Sequence, residues 1–196
     1  MRVWKSIVDN AIDHGDEVSE WITTHVFLSA KKARLVFMSQ ATVRMCNPDT
    51  TKSQVSFADG YPYLIASTAS LRDLNKRIMQ AGGTPVPMTR FRPNIVLDGL
   101  HPWTEDTDGA LVKLSPGYAL RILKGCDRCK VTTIDQIYGT VSKEQEPLKT
   151  LRTFRKIKNT VDVYFATNAE LVRTVSGDSS PFVITHGEVE MEWFPK

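Results

Sequence analysis

Apolar positions recur at helical spacing in two stretches of the chain and cluster as short strand-like runs in most of the rest. Between Gly15 and Leu28, Val18, Trp21, Ile22 and Val26 fall at i, i+3, i+4 and i+8, which predicts an amphipathic helix. Asp16 and Glu17 stand where the positive end of its dipole favours acid. Ala33 to Met38 (ARLVFM) has strand composition, whereas Cys46 to Gln54 (CNPDTTKSQ) has no apolar period and is rich in turn formers. From Tyr63 to Ala66 an apolar run leads into Ser67, Thr68 and Ser70 as candidate caps. Leu71, Leu74 and Ile78 then follow at helical spacing until Gly82-Gly83. Strand, cap and helix are predicted in that order.

The second half reads as mainly β. Strands are expected at Asn94 to Leu97, near Tyr118 to Lys124, at Lys130 to Ile134 and at Val161 to Ala166. An alternating terminal strand would place Val189, Met191 and Trp193 on one face. Glu105 to Gly109 reads as a turn-rich acidic loop, and Pro147 as the start of a short helix carrying Leu148 and Leu151. The expected class is α+β and β-rich, with helices peripheral to the sheet. The Cys46 to Gln54 loop divides a segment 1–50, with one amphipathic helix, from a main domain 51–196.

Composition narrows the function. Lys+Arg 25 against Asp+Glu 22 leaves a net charge of +3, which argues against dedicated nucleic-acid binding. No run approaches the roughly 18 apolar residues of a membrane span. Asp9, Asp13, His14 and Asp16 interrupt any signal-peptide core. Three cysteines, an odd number, suit a reducing cytoplasmic or organelle-interior setting better than a disulfide framework.

The densest chemical signal is Arg121 to Lys130 (RILKGCDRCK), a CxxC among four basic residues. Cationic neighbours favour thiolate, and a thiolate suits a soft metal. The same residues are equally compatible with two small buried cysteines and solvated cations. A zinc ribbon needs two such pairs, and only Cys46 and four scattered histidines remain. A dithiol redox motif should open a helix, but Val131 to Ile134 read as β. The second signal is Thr89 to Asn94 (TRFRPN), where arginine forks and an amide suit phosphate and a polar heterocycle. A solvated loop ending in a strand-entry proline has the same composition.

Four motifs, in order and spacing, carry a resemblance: FADGYPYLIASTASLRDLN, FRPNIVLDG, CDRCKVTTID and EPLKTLRTFR. Together they resemble the MOSC domain of the molybdenum-cofactor enzymes that include the mitochondrial amidoxime-reducing component and its bacterial relatives. The likeness covers about Val55 to Lys196, and the stretch from VW through GDEVSEWI to ARLVF resembles the segment just upstream. It implies a MOSC-type barrel with peripheral helices. It also implies that Cys129 is the protein thiolate on molybdenum, and that Arg92 and Asn94 hold the phosphate and pterin of the cofactor. Tyr164 is implied as an aromatic wall beside the cofactor, and Asp59 as part of a nearby turn. Where a small hydroxyl residue is usual, Asp127 stands, and Arg128 or Lys130 is expected to offset its charge.

The resemblance further implies an upstream β-rich segment that this chain lacks, so a shortened relative is expected. A lengthened loop at Thr174 to Pro181 is also expected. The leading functional expectation is a molybdenum-cofactor (Mo-molybdopterin) oxidoreductase reducing small N-hydroxylated compounds. Three cysteines cannot ligate a Cys₄ cluster and no dinucleotide-binding glycine motif is present, so a separate haem or flavin donor protein is implied. Two alternatives stand beside it: a non-catalytic module that binds or carries the cofactor, and a cofactor-maturation role. Similar domains are appended to pyridoxal-phosphate-dependent sulfurases, but no lysine here has a recognisable pyridoxal-phosphate setting.

Overall fold

The structure is a computed structural model that describes all residues except 4, 47–50, 52, 116, 158–159, 174–189 and 193–196. The expected loop at Thr174 to Pro181 and the face shared by Val189 and Trp193 lie outside the described residues. The chain divides into two compact units, Met1–Pro62 and Tyr63–Lys196. Among the described residues no helix is long and apolar enough to cross a membrane.

In the first unit, β1 (Arg2–Val3) pairs with β2 (Ser6–Ile7), and β3 (Ile12–Asp13) pairs antiparallel with β4 (Val36–Phe37). Helix α1 (Asp16–His25) follows Gly15, whose N–H donates to Asp13 Oδ1 at 2.8 Å. The strand expected over Ala33 to Met38 shrinks to Val36–Phe37 because its first residues are engaged by the helix. Ser19 Oγ donates to the Ala33 carbonyl (2.6 Å), the Ala33 N–H donates to Thr23 Oγ1 (3.1 Å), and Arg34 bridges Asp13 and Asp16.

The second unit is organised by one mixed sheet. Its strands are β5 (Tyr63–Ser67), β6 (Ile95–Leu97), β7 (Leu111–Ser115), β8 (Tyr118–Asp127), β9 (Tyr164–Arg173) and β10 (Glu190–Glu192). They lie in the order β10-β7-β8-β9-β5-β6, so among the described residues β10 and β6 are the two edges. The fold is α+β and β-rich, and a closed barrel is not seen in these pairings. All neighbours are antiparallel except β5 and β6, which run parallel and are joined by α2 (Thr68–Gln80). A parallel pair needs such a crossover.

Ser67 starts α2 by accepting the Ala69 N–H (3.1 Å), a cap worth about 1 kcal/mol. Gly82, at φ 80°, closes it in a conformation that favours glycine. Strand alternation splits the core in two. Ala66, Leu74, Ile78, Phe91, Leu151 and Phe165 pack together, while Ile65, Val112, Leu120, Ile122 and Ala169 form a second cluster. Adjacent residues Ile65 and Ala66 thus serve different clusters, as period two requires.

Two sequence expectations change here. Lys130 to Ile134 is not a strand: Lys130–Thr133 is a 3₁₀ turn. Thr132 Oγ1 donates to the Cys129 carbonyl (2.9 Å) and Thr133 Oγ1 to the Lys130 carbonyl (2.7 Å), so the β-branched residues use their hydroxyls locally. The acidic loop is not wholly solvated either, because Glu105 is completely buried in the 3₁₀ turn Thr104–Asp106. Strand β7, paired with both β10 and β8, was not among the expected strands, although Ala110, Val112 and Leu114 alternate onto the second cluster. Pro147 precedes α3 (Leu148–Phe154) as expected.

Candidate functional site

The arginine-asparagine segment is shaped by a 3₁₀ turn, Met88–Phe91, that ends at Arg92 in the left-handed region (φ 56°, ψ 46°). That conformation costs a non-glycine residue about 1 kcal/mol, and it is held by the Arg92 N–H donating to the Thr89 carbonyl (3.2 Å). Phe91 anchors the turn by stacking on Phe165 at 3.8 Å between centroids. Arg92 itself is exposed. Asn94 is fixed against β5: its N–H donates to the Leu64 carbonyl (2.9 Å), and its Oδ1 accepts the Leu64 N–H (2.8 Å). The carboxamide oxygen is therefore spent on the fold, and the amide NH₂ is the group turned to other use.

The cysteine segment leaves β8 through two register shifts, between Ile122 and Lys124 and between Gly125 and Asp127. Such bulges re-aim the side chains that follow. Arg128 then joins the segments. Its Nη2 donates to the Phe91 carbonyl (2.8 Å), its Nη1 to Cys126 Sγ (3.0 Å), and its backbone N–H to the Val163 carbonyl (2.9 Å). Its Nε is buried with no partner. The two cysteines consequently occupy different settings. Burial pushes the Cys126 thiol up from its ordinary pKa, against the opposing pull of Arg128, whereas Cys129 is exposed at the start of the 3₁₀ turn. Both are free thiols.

Tyr164 stands opposite Asp127 across β8 and β9. A Cβ on Gly125 would lie 3.1 Å from the Tyr164 ring, so a larger residue there would require the ring or the strand to give by a few tenths of an ångström. Asn168, in register with both Leu64 and Lys124, reaches back to the Gly125 carbonyl at 3.5 Å, and Thr167 Oγ1 donates to the Lys124 carbonyl (3.0 Å). The arginine turn is also tied to the loop beyond Cys129: Arg90 pairs with Asp135 (2.9 Å) and Gln136 Nε2 donates to the Thr89 carbonyl (2.6 Å).

Arg128, Tyr164 and the backbones next to Arg92 and Cys129 are thereby linked, and Asn94 joins them through Leu64 and Asn168. Sequence reasoning missed Gly125, Asn168 and the carbonyl of Phe91. Only Gly125, placed just before the CxxC, carried any signal. The expected offset of Asp127 also differs. Lys124 stands 3.7 Å from its carboxylate, while Arg128 spends its guanidinium on sulfur and a carbonyl. Asp59 belongs to the first unit, where its carbonyl accepts Arg44 Nη2 (2.8 Å) and the carbonyls of Ser56 and Ala58 accept Nη1.

Among the described residues no three or more His, Cys, Asp or Glu side chains gather as a metal cage. Cys129 would therefore hold a metal only as one ligand of a group that brings its own others. The donors here suit such a group: an accessible soft sulfur, an exposed guanidinium, an uncommitted amide and a buried orphan N–H on Arg128.

A model of the MOSC domain matches residues 52–190. The chain is 34% identical over 148 residues to mitochondrial amidoxime-reducing component 1 of Mus musculus, covering 73% of this chain and 41% of that protein. It is 36% identical over 150 residues to the Homo sapiens protein of the same name, covering 74% and 42%. It is also 32% identical over 161 residues to a molybdenum cofactor sulfurase of Oryza sativa subsp. japonica, covering 76% of this chain and 19% of that one. The chain spans about two fifths of the length of the first two relatives.

Proposed function

The chain belongs to the MOSC domain family, and from that premise we propose that it is a molybdenum-cofactor oxidoreductase that reduces small N-hydroxylated compounds. The observation that carries this reading is the link Arg128 makes between the CxxC segment and the arginine turn, beside an accessible Cys129 thiol. Bound there, the cofactor would supply two-electron redox chemistry. Cys129 would contribute a soft sulfur ligand. The exposed Arg92 guanidinium fits a phosphate by its fork of donors, and the Asn94 NH₂ fits an acceptor on a pterin edge. Tyr164 would form a flat apolar wall, with Gly125 keeping the ring against the sheet.

On this reading residues 51–196 are the MOSC domain, its curled sheet is the wall of the family barrel, and residues 1–50 are a partial N-terminal segment. A separate haem or flavin protein delivers electrons, and the setting is cytoplasmic or organelle-interior, in keeping with relatives named as mitochondrial.

The test is expression in a host that makes the cofactor, followed by molybdenum analysis, pterin fluorescence and reduction of an amidoxime by a reduced viologen dye. Stoichiometric molybdenum with turnover is expected. Cofactor without turnover would replace the enzyme by a carrier module. The match to the sulfurase favours a maturation role as the second reading, and transfer of bound cofactor to an apo-enzyme would reveal it.

A further inference from the structure

We propose that Cys126 is a positioning residue: acting through Arg128, its sulfur holds the Phe91–Arg92 peptide in the orientation that presents Arg92 to an anion. That anion is the cofactor phosphate on the oxidoreductase reading above, on which the proposal rests.

Arg92 does not adopt its conformation unaided. It carries a Cβ, which disfavours left-handed backbone, and it precedes Pro93, which favours extended backbone at the preceding residue. It nonetheless sits at φ 56°, ψ 46°. The Phe91 ring, completely buried and stacked on Phe165, anchors one end of the peptide, but a planar peptide can still rotate about the two bonds that flank it. Both polar atoms of this plane are tied. The Arg92 N–H donates to the Thr89 carbonyl (3.2 Å) within the turn, and the Phe91 carbonyl accepts Arg128 Nη2 (2.8 Å) from another segment. The second bond is charge-assisted and therefore the stronger of the two.

Arg128 keeps that grip only while the rest of its guanidinium is accommodated. Its Cζ lies 5.5 Å from the Phe91 ring centroid, where the ring face attracts the cation. Its Nε is buried without a partner, and its Nη1 has Cys126 Sγ at 3.0 Å. Without that sulfur, two of the three nitrogens would lack an acceptor, a cost that favours turning the guanidinium away and releasing the carbonyl.

A thiol suits this place because it accepts and donates at once. While Sγ accepts from Arg128, the S–H faces the Asp127 carbonyl at 3.7 Å. A serine hydroxyl can do both, and a methyl group neither. The two cysteines thus take separate parts: Cys129 is exposed, whereas Cys126 is turned to the arginine that joins its segment to Arg92. One guanidinium thereby couples the thiol that would meet the metal to the arginine that would meet the phosphate.

The experiment follows amide hydrogen exchange by NMR in the full chain without cofactor, comparing the unaltered protein with Cys126→Ala, Cys126→Ser and Arg128→Lys. In Cys126→Ala the Arg92 N–H should exchange about tenfold faster or more, while the amides of the buried strand residues Leu120 and Ile122 keep their rates. Cys126→Ser should restore the slow exchange at Arg92. Arg128→Lys, which replaces a fork by a point charge, should release Arg92 as the alanine does, and it decides the matter if Cys126→Ala fails to fold. In protein loaded with cofactor, release of pterin fluorescence on dilution should quicken about tenfold in Cys126→Ala and stay unchanged in Cys126→Ser. Slow exchange at Arg92 in both Cys126→Ala and Arg128→Lys overturns the proposal. So does a serine variant as damaged as the alanine, or an alanine variant in which Arg92, Leu120 and Ile122 all quicken together, since that makes Cys126 a packing residue only. Absence of molybdenum and turnover in the unaltered protein refutes the oxidoreductase reading instead, and the exchange rates of the cofactor-free chain still decide the part played by Cys126.

Discussion

Two charged clusters in the second unit bury polar atoms to opposite effect. At the cysteine segment, Arg128 spreads its guanidinium over Cys126 Sγ and the Phe91 carbonyl, leaving Cys129 and Arg92 facing outward. At the 3₁₀ turn Thr104–Asp106, two neighbouring acids are turned inward. Glu105 accepts Ser70 Oγ (2.8 Å) and leaves its other oxygen unpartnered, while Asp106 pairs with Arg155, whose guanidinium lies 4.8 Å from the Trp103 ring centroid. Burial raises the pKa of both acids above their ordinary values, with Ser70 opposing it at Glu105 and Arg155 at Asp106. One cluster presents reactive groups to solvent, and the other stitches α2 to the sheet. Perturbed titration alone therefore does not mark a site, because structural networks produce it as well.

Substitution can break that contrast. Cys129→Ser should lower amidoxime reduction about a hundredfold or more and remove molybdenum, because a hydroxyl is a harder and less acidic ligand than a thiol. Cys126→Ser should retain metal and most activity. Equal damage from both, read by metal analysis and dye-driven turnover, would point to a bond that needs both sulfurs. The different settings of the two thiols argue against such a bond.

Gly125→Ala tests the support beneath the site. The new methyl would meet the Tyr164 ring at 3.1 Å, so the ring or strand must shift, at a cost of about 1–3 kcal/mol. A lowered urea midpoint with weakened cofactor retention is expected, and an unchanged midpoint would mean that the ring moves freely.

The inward cluster should answer to pH rather than to cofactor. Glu105 has a folded pKa above its ordinary 4.5, so the folded state binds its proton more tightly than the unfolded chain does. Its favourable contribution is complete below about pH 4.5 and is lost as pH rises towards the folded value. Glu105→Gln removes this dependence. The stability of the unaltered protein relative to the variant should therefore fall as pH rises through that window, as followed by thermal melts in matched buffers. A constant difference across the window would show that Glu105 titrates normally. The smallest effect belongs to Lys124→Met, which breaks a half-exposed pair at 3.7 Å and should change stability by no more than about 0.5 kcal/mol.

Much of this arrangement was legible from residues near one another in sequence. The run YLIAS, the Ser67 cap and the spacing of Leu74 and Ile78 led to β5 and α2, because caps and apolar stripes are local devices. Pro147 marked α3 for the same reason. VTTI misled, because β-branched composition describes a preference that a threonine hydroxyl near a free carbonyl overrides. The acids at Glu105 and Asp106 looked like a surface loop, since their partners Ser70 and Arg155 are far away in the chain.

The sequence by itself determined the class of fold, the principal helices and the four motifs that place the chain in its family. Each depends on period, capping or residue identity over a short span. The tertiary structure alone decided which cysteine meets solvent, which arginine atoms are committed and which carboxylate is buried. Those outcomes follow from the register of β8 on β9, its two shifts, and the carbonyl that Phe91 offers Arg128. A hydrogen bond between residues 37 positions apart forms only when a sheet brings them together, and no local pattern encodes it.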